Sequence, residues 1–425
     1  MFIAVGIAVF LSGLIINPWA GKLYRRNIIN YRDVMLSYFI WATAISVMIV
    51  GASLIFRSVR SKKIGHITVL LTTCMLIALS DRLLLAKLGL PLWEADPENH
   101  YRHRPDTIRS WGDSYGNKLI RINKYGHHDD DFPLNKRDHE FRGLMIGDSV
   151  TMGHGLTYEE TFSNQLEGVL REKTGDRRHY QMINAGVQGY STFQEYNLLR
   201  ESLVLKPDFI AVGFCMNDLA EPFVVDQRYG GVGSDYHGIT QVPSLFVSYL
   251  LNETGYGRTL QQLQSRNKSV ETKRRWETYS VKKIARSPVD DPKFAENWKT
   301  TLFYLDKIYG TAKGQDIKIV LLIFPYTFQL MNSDLQEPQR ILADHAKSRN
   351  VDVIDFTSVF ENLVFDTSTV QLLMEKGFSP EEIHGLYRAR IRTYFLDDSH
   401  YTVEGHRIVA SQLYTYLSSH YPLER

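Results

Sequence analysis

Three residues carry the side chains that a nucleophilic hydrolysis needs. Ser149 closes the tripeptide Gly147-Asp148-Ser149, which directly follows the apolar run Leu144-Met145-Ile146. A serine at the end of a buried strand, on the turn into a helix, exposes its hydroxyl but is a poor nucleophile without an adjacent base. His400 titrates near neutrality and suits that task, and Asp397, three residues earlier, can fix its tautomer. The set predicts acyl transfer through an acyl-serine intermediate.

The tripeptide itself is a weak signal, because the chain contains it twice. The second copy, Gly112-Asp113-Ser114, follows Ile108-Arg109-Ser110-Trp111, which has no apolar run. We therefore interpret the second copy as a loop and keep Ser149 as the nucleophile. In the first copy, Asp148 is expected to accept hydrogen bonds from nearby backbone N–H groups and to hold the turn.

The base and its aspartate also have competitors. His406 follows His400 by six residues, but it lies within the final helix, where we expect it to pack. Asp398 lies next to Asp397, although the three-residue spacing to the histidine favours Asp397.

Five apolar runs that alternate with helical segments predict the frame that positions these residues. The predicted strands are Leu144–Ile146, Tyr180–Asn184, Phe209–Phe214, Ile317–Phe324 and Val351–Phe356. Near-continuous apolar strands are typical of parallel sheets that are covered on both faces. The alternation predicts a doubly wound α/β sheet with its site at the carboxyl ends of the strands.

Four blocks at these strand ends resemble the SGNH (GDSL-type) hydrolase superfamily, over roughly residues 140–425. The blocks are Ile146–Ser149, Asn184–Thr192, Gly213–Asp218 and Asp397–His400. The resemblance implies a flavodoxin-like three-layer α/β/α sandwich with a parallel five-stranded sheet. A further stretch, Asn123-Lys124-Tyr125-Gly126, resembles the membrane-anchored or exported branch of this superfamily.

Carried over by position, the resemblance also implies the site residues. Ser149 matches the nucleophile, His400 the base and Asp397 the aspartate that orients the base. Gly189 matches the backbone donor of the oxyanion hole, and Asn217 matches its side-chain donor. With the N–H of Ser149 these groups can offer three hydrogen bonds to a tetrahedral oxyanion. The simpler readings are that Gly189 is a turn glycine and that Asn217 only ends a strand.

Residues 1–92 differ from the rest and are predicted to form a membrane anchor of two to three transmembrane helices. The apolar segments are Phe2–Asn17, Val34–Phe56 and Ile67–Leu90. About 20 apolar residues cross a bilayer, which makes the second segment the clearest; buried soluble helices are the alternative. Two basic loops nearly balance under the positive-inside rule, and the denser one, at 57–63, favours a catalytic domain outside the cytoplasm.

The remaining segments have less regular patterns. Residues 93–139 are interpreted as a polar connector with little regular structure, and insertions are expected at about 221–294 and 357–396. The first insertion contains a basic tract, interpreted as a solvated face or as a surface for anionic head groups or polymers. The run His127-His128-Asp129-Asp130-Asp131 is interpreted as a solvated acidic loop rather than as a metal site. Two glycosylation sequons begin at Asn252 and Asn267.

Composition and motifs together predict a membrane-anchored serine esterase. A net charge of +2 over 425 residues argues against nucleic-acid binding, and the two cysteines lie in apolar segments, which argues against a disulfide framework. The expected substrates are carboxylic esters, above all O-acetyl esters, of a glycan or a lipid-linked molecule. The triad chemistry needs no metal or organic cofactor. The alternatives are an O-acyltransferase that acylates a polysaccharide, and a catalytically silent protein that binds glycan or a membrane-protein partner.

Overall fold

A computed structural model shows how the chain folds. It describes residues 78–84, 92–96, 98–175, 178–219, 234–236, 239–241, 254–257, 259, 281–286, 292–330, 332–364 and 367–423. The chain divides into two compact units, one of residues 1–91 with 232–265 and one of residues 92–231 with 266–425. In the first unit, the backbone N–H of Tyr256 donates to the Asp81 carboxylate at 3.0 Å.

The second unit is built on a parallel sheet of five strands. The strands of the described residues are β1 (Trp93–Asp96), β2 (His100–His103), β3 (Thr107–Ser110), β4 (Leu119–Ile122), β5 (Glu140–Gly147), β6 (His179–Asn184), β7 (Phe209–Cys215), β8 (Ser234–Tyr236), β9 (Ile239–Gln241), β10 (Lys318–Phe324) and β11 (Asp352–Asp355). Of these, β8 and β9 belong to the first unit and the others to the second. The central sheet has the order β11-β10-β7-β5-β6, and every neighbouring pair in it is parallel. These are the five strands that the apolar runs predicted, in a flavodoxin-like order.

Helices cover both faces of this sheet. Among the described residues the α-helices include α1 (Ser149–Met152), α2 (Phe162–Thr174), α3 (Thr192–Ser202), α4 (Pro292–Gly314), α5 (Glu337–Ser348), α6 (Phe356–Val364), α7 (Thr367–Glu375), α8 (Pro380–Tyr394) and α9 (Val403–His420). The step from β5 to β6 runs opposite to the step from β6 to β7, so right-handed crossovers put α2 and α3 on opposite faces. Because α9 packs on α2 and α4 packs on α3, three layers result.

The central strands are buried along their whole length. Every residue of β5 and β7 is buried, as expected where helices cover both faces of a parallel sheet. Even the charged side chain at the start of β5 is enclosed: Arg142 forms an ion pair with Glu140 and donates to the carbonyl oxygens of Leu134 and Leu205. This end of the strand is therefore fixed to the segment that precedes it.

The expectation that residues 93–139 have little regular structure is wrong. Two antiparallel hairpins, β1–β2 and β3–β4, form within this segment. On the second hairpin, Ile120 and Ile122 are 1% exposed and belong to a small apolar cluster with Leu92 and Met152. Because Met152 ends α1, the hairpin packs directly on the helix that Ser149 begins.

Both predicted insertions contain helical residues. Helices α6, α7 and α8 fill 357–396, and residues 281–286 form a short helix. On that helix Val281 and Ile284 join the main apolar core, and the Lys282 ammonium lies 5.0 Å from the centre of the Phe328 ring. The rest of the basic tract, the asparagines of both sequons and almost all of the three apolar N-terminal segments lie outside the described residues. Among those that are described, no helix is long and apolar enough to cross a membrane.

Candidate active site

The turn between β5 and α1 holds Ser149. The Asp148 carboxylate caps α1 by accepting the N–H of Val150 at 2.9 Å, which is the turn-holding contact expected for it. Gly147 is required by space, because a Cβ there would overlap the Thr151 hydroxyl and lie 2.7 Å from the Gly213 carbonyl oxygen. The strand therefore delivers Ser149 to the edge of the sheet, where the residue is 5% exposed.

The structure joins the three sequence-predicted residues in one hydrogen-bonded chain. His400 Nε2 lies 2.9 Å from Ser149 Oγ, and His400 Nδ1 lies 2.8 Å from one oxygen of Asp397. The backbone N–H groups of Ser399 and His400 also donate to Asp397, at 3.0 and 2.9 Å. Burial by itself would raise the pKa of Asp397, but His400 and these hydrogen bonds outweigh it and hold that pKa well below its usual range. The aspartate therefore stays ionised and can fix the histidine tautomer.

The proposed oxyanion donors follow neighbouring strands. Asn217 lies on the turn after β7, is 5% exposed, and donates one amide hydrogen to Asp148 at 2.9 Å. This bond fixes the direction of the Asn217 amide beside the nucleophile turn. Burial raises the pKa of Asp148, and the hydrogen bonds from Asn217 and Val150 act in the opposite direction.

Gly189 lies in the loop after β6, with a left-handed φ of 73° that favours glycine. The same loop runs along the end of β5, because the N–H of Val187 donates to the Gly147 carbonyl oxygen at 3.0 Å. The loop is also anchored to the hairpin region, since the Tyr101 hydroxyl donates to the Gln188 carbonyl oxygen at 2.9 Å. Gly189 is thus held next to the strand that delivers Ser149.

The competing residues lie elsewhere. His406 is buried within α9 and accepts the N–H of Phe162 at 3.0 Å, so it packs as expected and does not contact Ser149. Asp398 accepts a hydrogen bond from the Thr327 hydroxyl at 3.2 Å. The copy at 112–114 lies on an exposed turn, where residues 113–115 form one turn of 3-10 helix. None of these three competitors takes part in the hydrogen-bonded chain of Ser149, His400 and Asp397.

The interpretation of residues 127–131 as a solvated loop is wrong for its first three residues. His127, His128 and Asp129 are buried. His128 Nδ1 lies 2.8 Å from the Met152 carbonyl oxygen, and Asp129 accepts the N–H of Asn184 at 3.0 Å. Burial lowers the pKa of both histidines to about 4 and raises the pKa of Asp129 to about 8. The hydrogen bonds of His128 and Asp129 tie this segment to the end of α1 and to the end of β6, next to the turn that carries Ser149. Within the described ranges, no group of three or more His, Cys, Asp or Glu side chains could hold a metal ion.

Sequence reasoning missed a second histidine at the site. The His154 ring lies against the His400 ring with the two centres 4.3 Å apart. On its other side it contacts the second hairpin, through Tyr115 and Trp111. No sequence signal marks this contact, because it joins two segments that only the fold brings together.

A serine, a histidine and an ionised aspartate joined in this way define a serine hydrolase. The particular family follows from the sequence: residues 145–408, more than half of the chain, match the model of the GDSL-like lipase/acylhydrolase family, and the chain belongs to that family. The predicted superfamily is confirmed, and so is the prediction of a serine hydrolase that acts on ester bonds.

Solved structures with a similar arrangement are distant in sequence. A GDSL-like lipase from Bacteroides thetaiotaomicron is 13% identical, with a TM-score of 0.35 and coverage of 68% of this chain and 93% of that chain. A catalytic mutant of an acetylxylan esterase from Geobacillus stearothermophilus is also 13% identical, with a TM-score of 0.36 and coverage of 67% and 96%. No curated protein matches this chain.

Proposed function

We propose that the protein is a membrane-anchored esterase that cleaves O-acetyl esters of a glycan or a lipid-linked molecule. Ser149 is the nucleophile, His400 is the general base and Asp397 orients it. The N–H groups of Ser149 and Gly189 and the Asn217 amide stabilise the oxyanion. The observation that carries the proposal is the continuous chain from Ser149 Oγ through both ring nitrogens of His400 to the Asp397 carboxylate.

The reaction runs in two steps on these residues. Ser149 Oγ attacks the ester carbonyl carbon while its proton moves to His400 Nε2, and the alcohol leaves with that proton. Water then loses a proton to His400 and attacks the acyl-serine, which releases the carboxylic acid and returns the proton to Ser149. Asp397 remains ionised throughout and stabilises the imidazolium that forms in each step.

The solvent exposure of two triad side chains supports a large substrate that carries its ester group on its own surface. The Asp397 and His400 side chains are 25% and 15% exposed, so the base and the aspartate that orients it lie close to solvent. An acetyl group needs little depth to reach such a site, whereas the glycan or lipid that bears it can remain outside. The apolar N-terminal segments support an anchor that keeps the catalytic domain at the membrane. The denser basic loop at 57–63 favours the side away from the cytoplasm.

The test is labelling with a fluorophosphonate, which reacts with activated serines. The full-length protein is purified in detergent, labelled and digested, and the modified peptide is mapped by mass spectrometry. We expect the adduct on Ser149 and none on Ser114, which occupies the same tripeptide in the same sample and serves as an internal control. The His400→Ala variant should lose the adduct while keeping its thermal unfolding transition.

Product analysis then separates hydrolysis from transfer. Labelled protein that releases free acetate from an O-acetylated glycan supports the esterase. Acetate that appears on an added polysaccharide acceptor instead would replace the esterase with an acyltransferase. A folded protein without any adduct on Ser149 would contradict the catalytic proposal and favour a silent binding protein.

A further inference from the structure

The ring of His154 packs on the face of the His400 ring. The ring centres are 4.3 Å apart and the planes are inclined by 30°. His154 is also tied to the nucleophile, because its backbone N–H donates to the Ser149 carbonyl oxygen at 3.0 Å. It stands between Gly153 and Gly155, which have φ values of 84° and 83° and so turn the chain sharply on both sides.

The second hairpin holds His154 in this position. The Tyr115 hydroxyl lies 2.9 Å from His154 Nε2, and the Tyr115 and His154 rings meet edge to face. The Trp111 ring lies 4.5 Å from the His154 ring, and Trp111 Nε1 donates to the Leu156 carbonyl oxygen at 2.8 Å. His154 is therefore fixed on one side by a hydrogen bond and aromatic packing, and it presents a face to His400 on the other.

We propose that His154, held by Tyr115, is a positioning residue for His400. Its ring keeps the His400 imidazole in the plane that joins Ser149 and Asp397, so that the proton of Ser149 has a short, aligned path. No bond forms or breaks on His154. The inference rests on the proposed function, because it assigns a role relative to His400 as the base.

The test compares variants in steady-state hydrolysis of 4-nitrophenyl acetate, together with the rate of fluorophosphonate labelling at Ser149. A displaced base costs turnover, so His154→Ala should lower kcat and the labelling rate by about 10- to 100-fold while KM stays within about twofold. His154→Phe keeps an aromatic face and should retain most of kcat. Tyr115→Phe removes one hydrogen bond from the support and should lower kcat only a few-fold.

The chain offers a matched control in His420, whose ring stacks on Tyr416 with centres 4.2 Å apart at the far end of α9. His420→Ala removes an equally close ring pair and should leave kcat unchanged. Each variant is accepted only if its thermal unfolding transition resembles that of the wild type.

Wild-type kcat in His154→Ala would overturn the inference, and so would a rise in KM at constant kcat, which would mean that His154 contacts substrate. Equal losses in His154→Phe and His154→Ala would overturn the argument from ring packing. A wild-type protein that takes no label would overturn the proposed function and this inference with it. A labelled wild type with an unaffected His154→Ala variant would overturn this inference alone.

Discussion

The chain contains Gly-Asp-Ser twice, and the two copies show how much the surroundings decide. In both copies an asparagine amide donates to the aspartate, from Asn117 to Asp113 at 2.8 Å and from Asn217 to Asp148 at 2.9 Å. In the copy at 112–114 the partner lies four residues away on an exposed turn. In the copy at 147–149 the partner comes from the turn after another strand and is buried. The same residue types therefore give a local turn in one place and a tertiary junction in the other.

The serines differ in the same way. Ser114 lies on the exposed turn of the hairpin, whereas Ser149 follows a fully buried strand and meets His400, which is 251 residues further along the chain. A nucleophile needs a base, an orienting aspartate and oxyanion donors from separate segments, and only the edge of a parallel sheet collects them here. Reactivity therefore depends on this edge of the sheet, and paired variants of the two copies test each of its parts.

The largest difference is expected between the two serines. Ser149→Ala should lower kcat/KM for an acetyl ester by roughly 10⁴- to 10⁶-fold, because the residues of a triad act as a unit. Ser114→Ala should leave kcat/KM unchanged, since its hydroxyl is exposed and takes no part in the hydrogen-bonded chain of Ser149, His400 and Asp397. Steady-state kinetics of both purified variants measure the ratio. Comparable losses in the two variants would abolish the distinction between the copies.

The second prediction concerns the two asparagines. Asn217→Ala should lower kcat by about 10²- to 10³-fold with little change in KM, as expected when one oxyanion donor is removed. Asn117→Ala removes the equivalent amide from the exposed copy and should leave kcat unchanged. The kcat and KM values of both variants decide the question. Full activity in a folded Asn217→Ala protein would remove this residue from the oxyanion hole and leave it a structural partner of Asp148.

Much of this distinction could be predicted from the sequence, because it depends on patterns along the chain. Long apolar runs located the five strands, and the tripeptide at the end of one of them identified Ser149. The three-residue spacing of Asp397 and His400 selected the pair that the structure joins at 2.8 Å. Position within a helix was enough to expect that His406 packs.

The contributions of residues 93–139 could not be predicted, since they depend on contacts between distant segments. Strand β4 is only four residues long, and the charged Arg121 interrupts its apolar residues. No apolar run therefore marks this strand in the sequence. His128 and Asp129 have side chains typical of exposed loops, and they are buried only because Met152 and Asn184 supply hydrogen-bond partners. His154 acquires its role from a ring on a loop 246 residues away.

A third prediction compares the two glycines. Gly147→Ala should lower the free energy of unfolding by about 3 kcal/mol, because the new Cβ has no space between Thr151 and the Gly213 carbonyl group. Gly112→Ala meets no atom within 4 Å and is disfavoured only by its φ of 87°, which should cost about 1 kcal/mol. Urea denaturation of both variants measures the difference. A larger loss in Gly112→Ala would mean that space at Gly147 is not what requires glycine there.

The smallest expected effect concerns acid, and it compares the buried His406 with an exposed histidine. Burial, followed by the nearby His128 and His400, lowers the pKa of His406 to about 3. Its ordinary value is 6.5, so below that pH the unfolded chain binds a proton that the native protein refuses. This contribution to stability is complete above pH 6.5 and is lost as the pH falls towards 3, by about 2 kcal/mol at pH 5.

A double comparison isolates this residue from the other buried groups. The free energy of unfolding is measured by urea denaturation at pH 7 and pH 5 for the wild type and for His406→Gln, whose amide oxygen can still accept the N–H of Phe162. Between these pH values the wild type should lose about 2 kcal/mol relative to the variant. Titration of His128, whose pKa is lowered, and of Asp129, whose pKa is raised, affects both proteins alike and cancels in this difference.

His384, which is exposed on α8, provides the control, since His384→Gln should follow the wild type at both pH values. Equal acid sensitivity in the wild type and His406→Gln would mean that His406 accepts a proton in the native state without loss of packing.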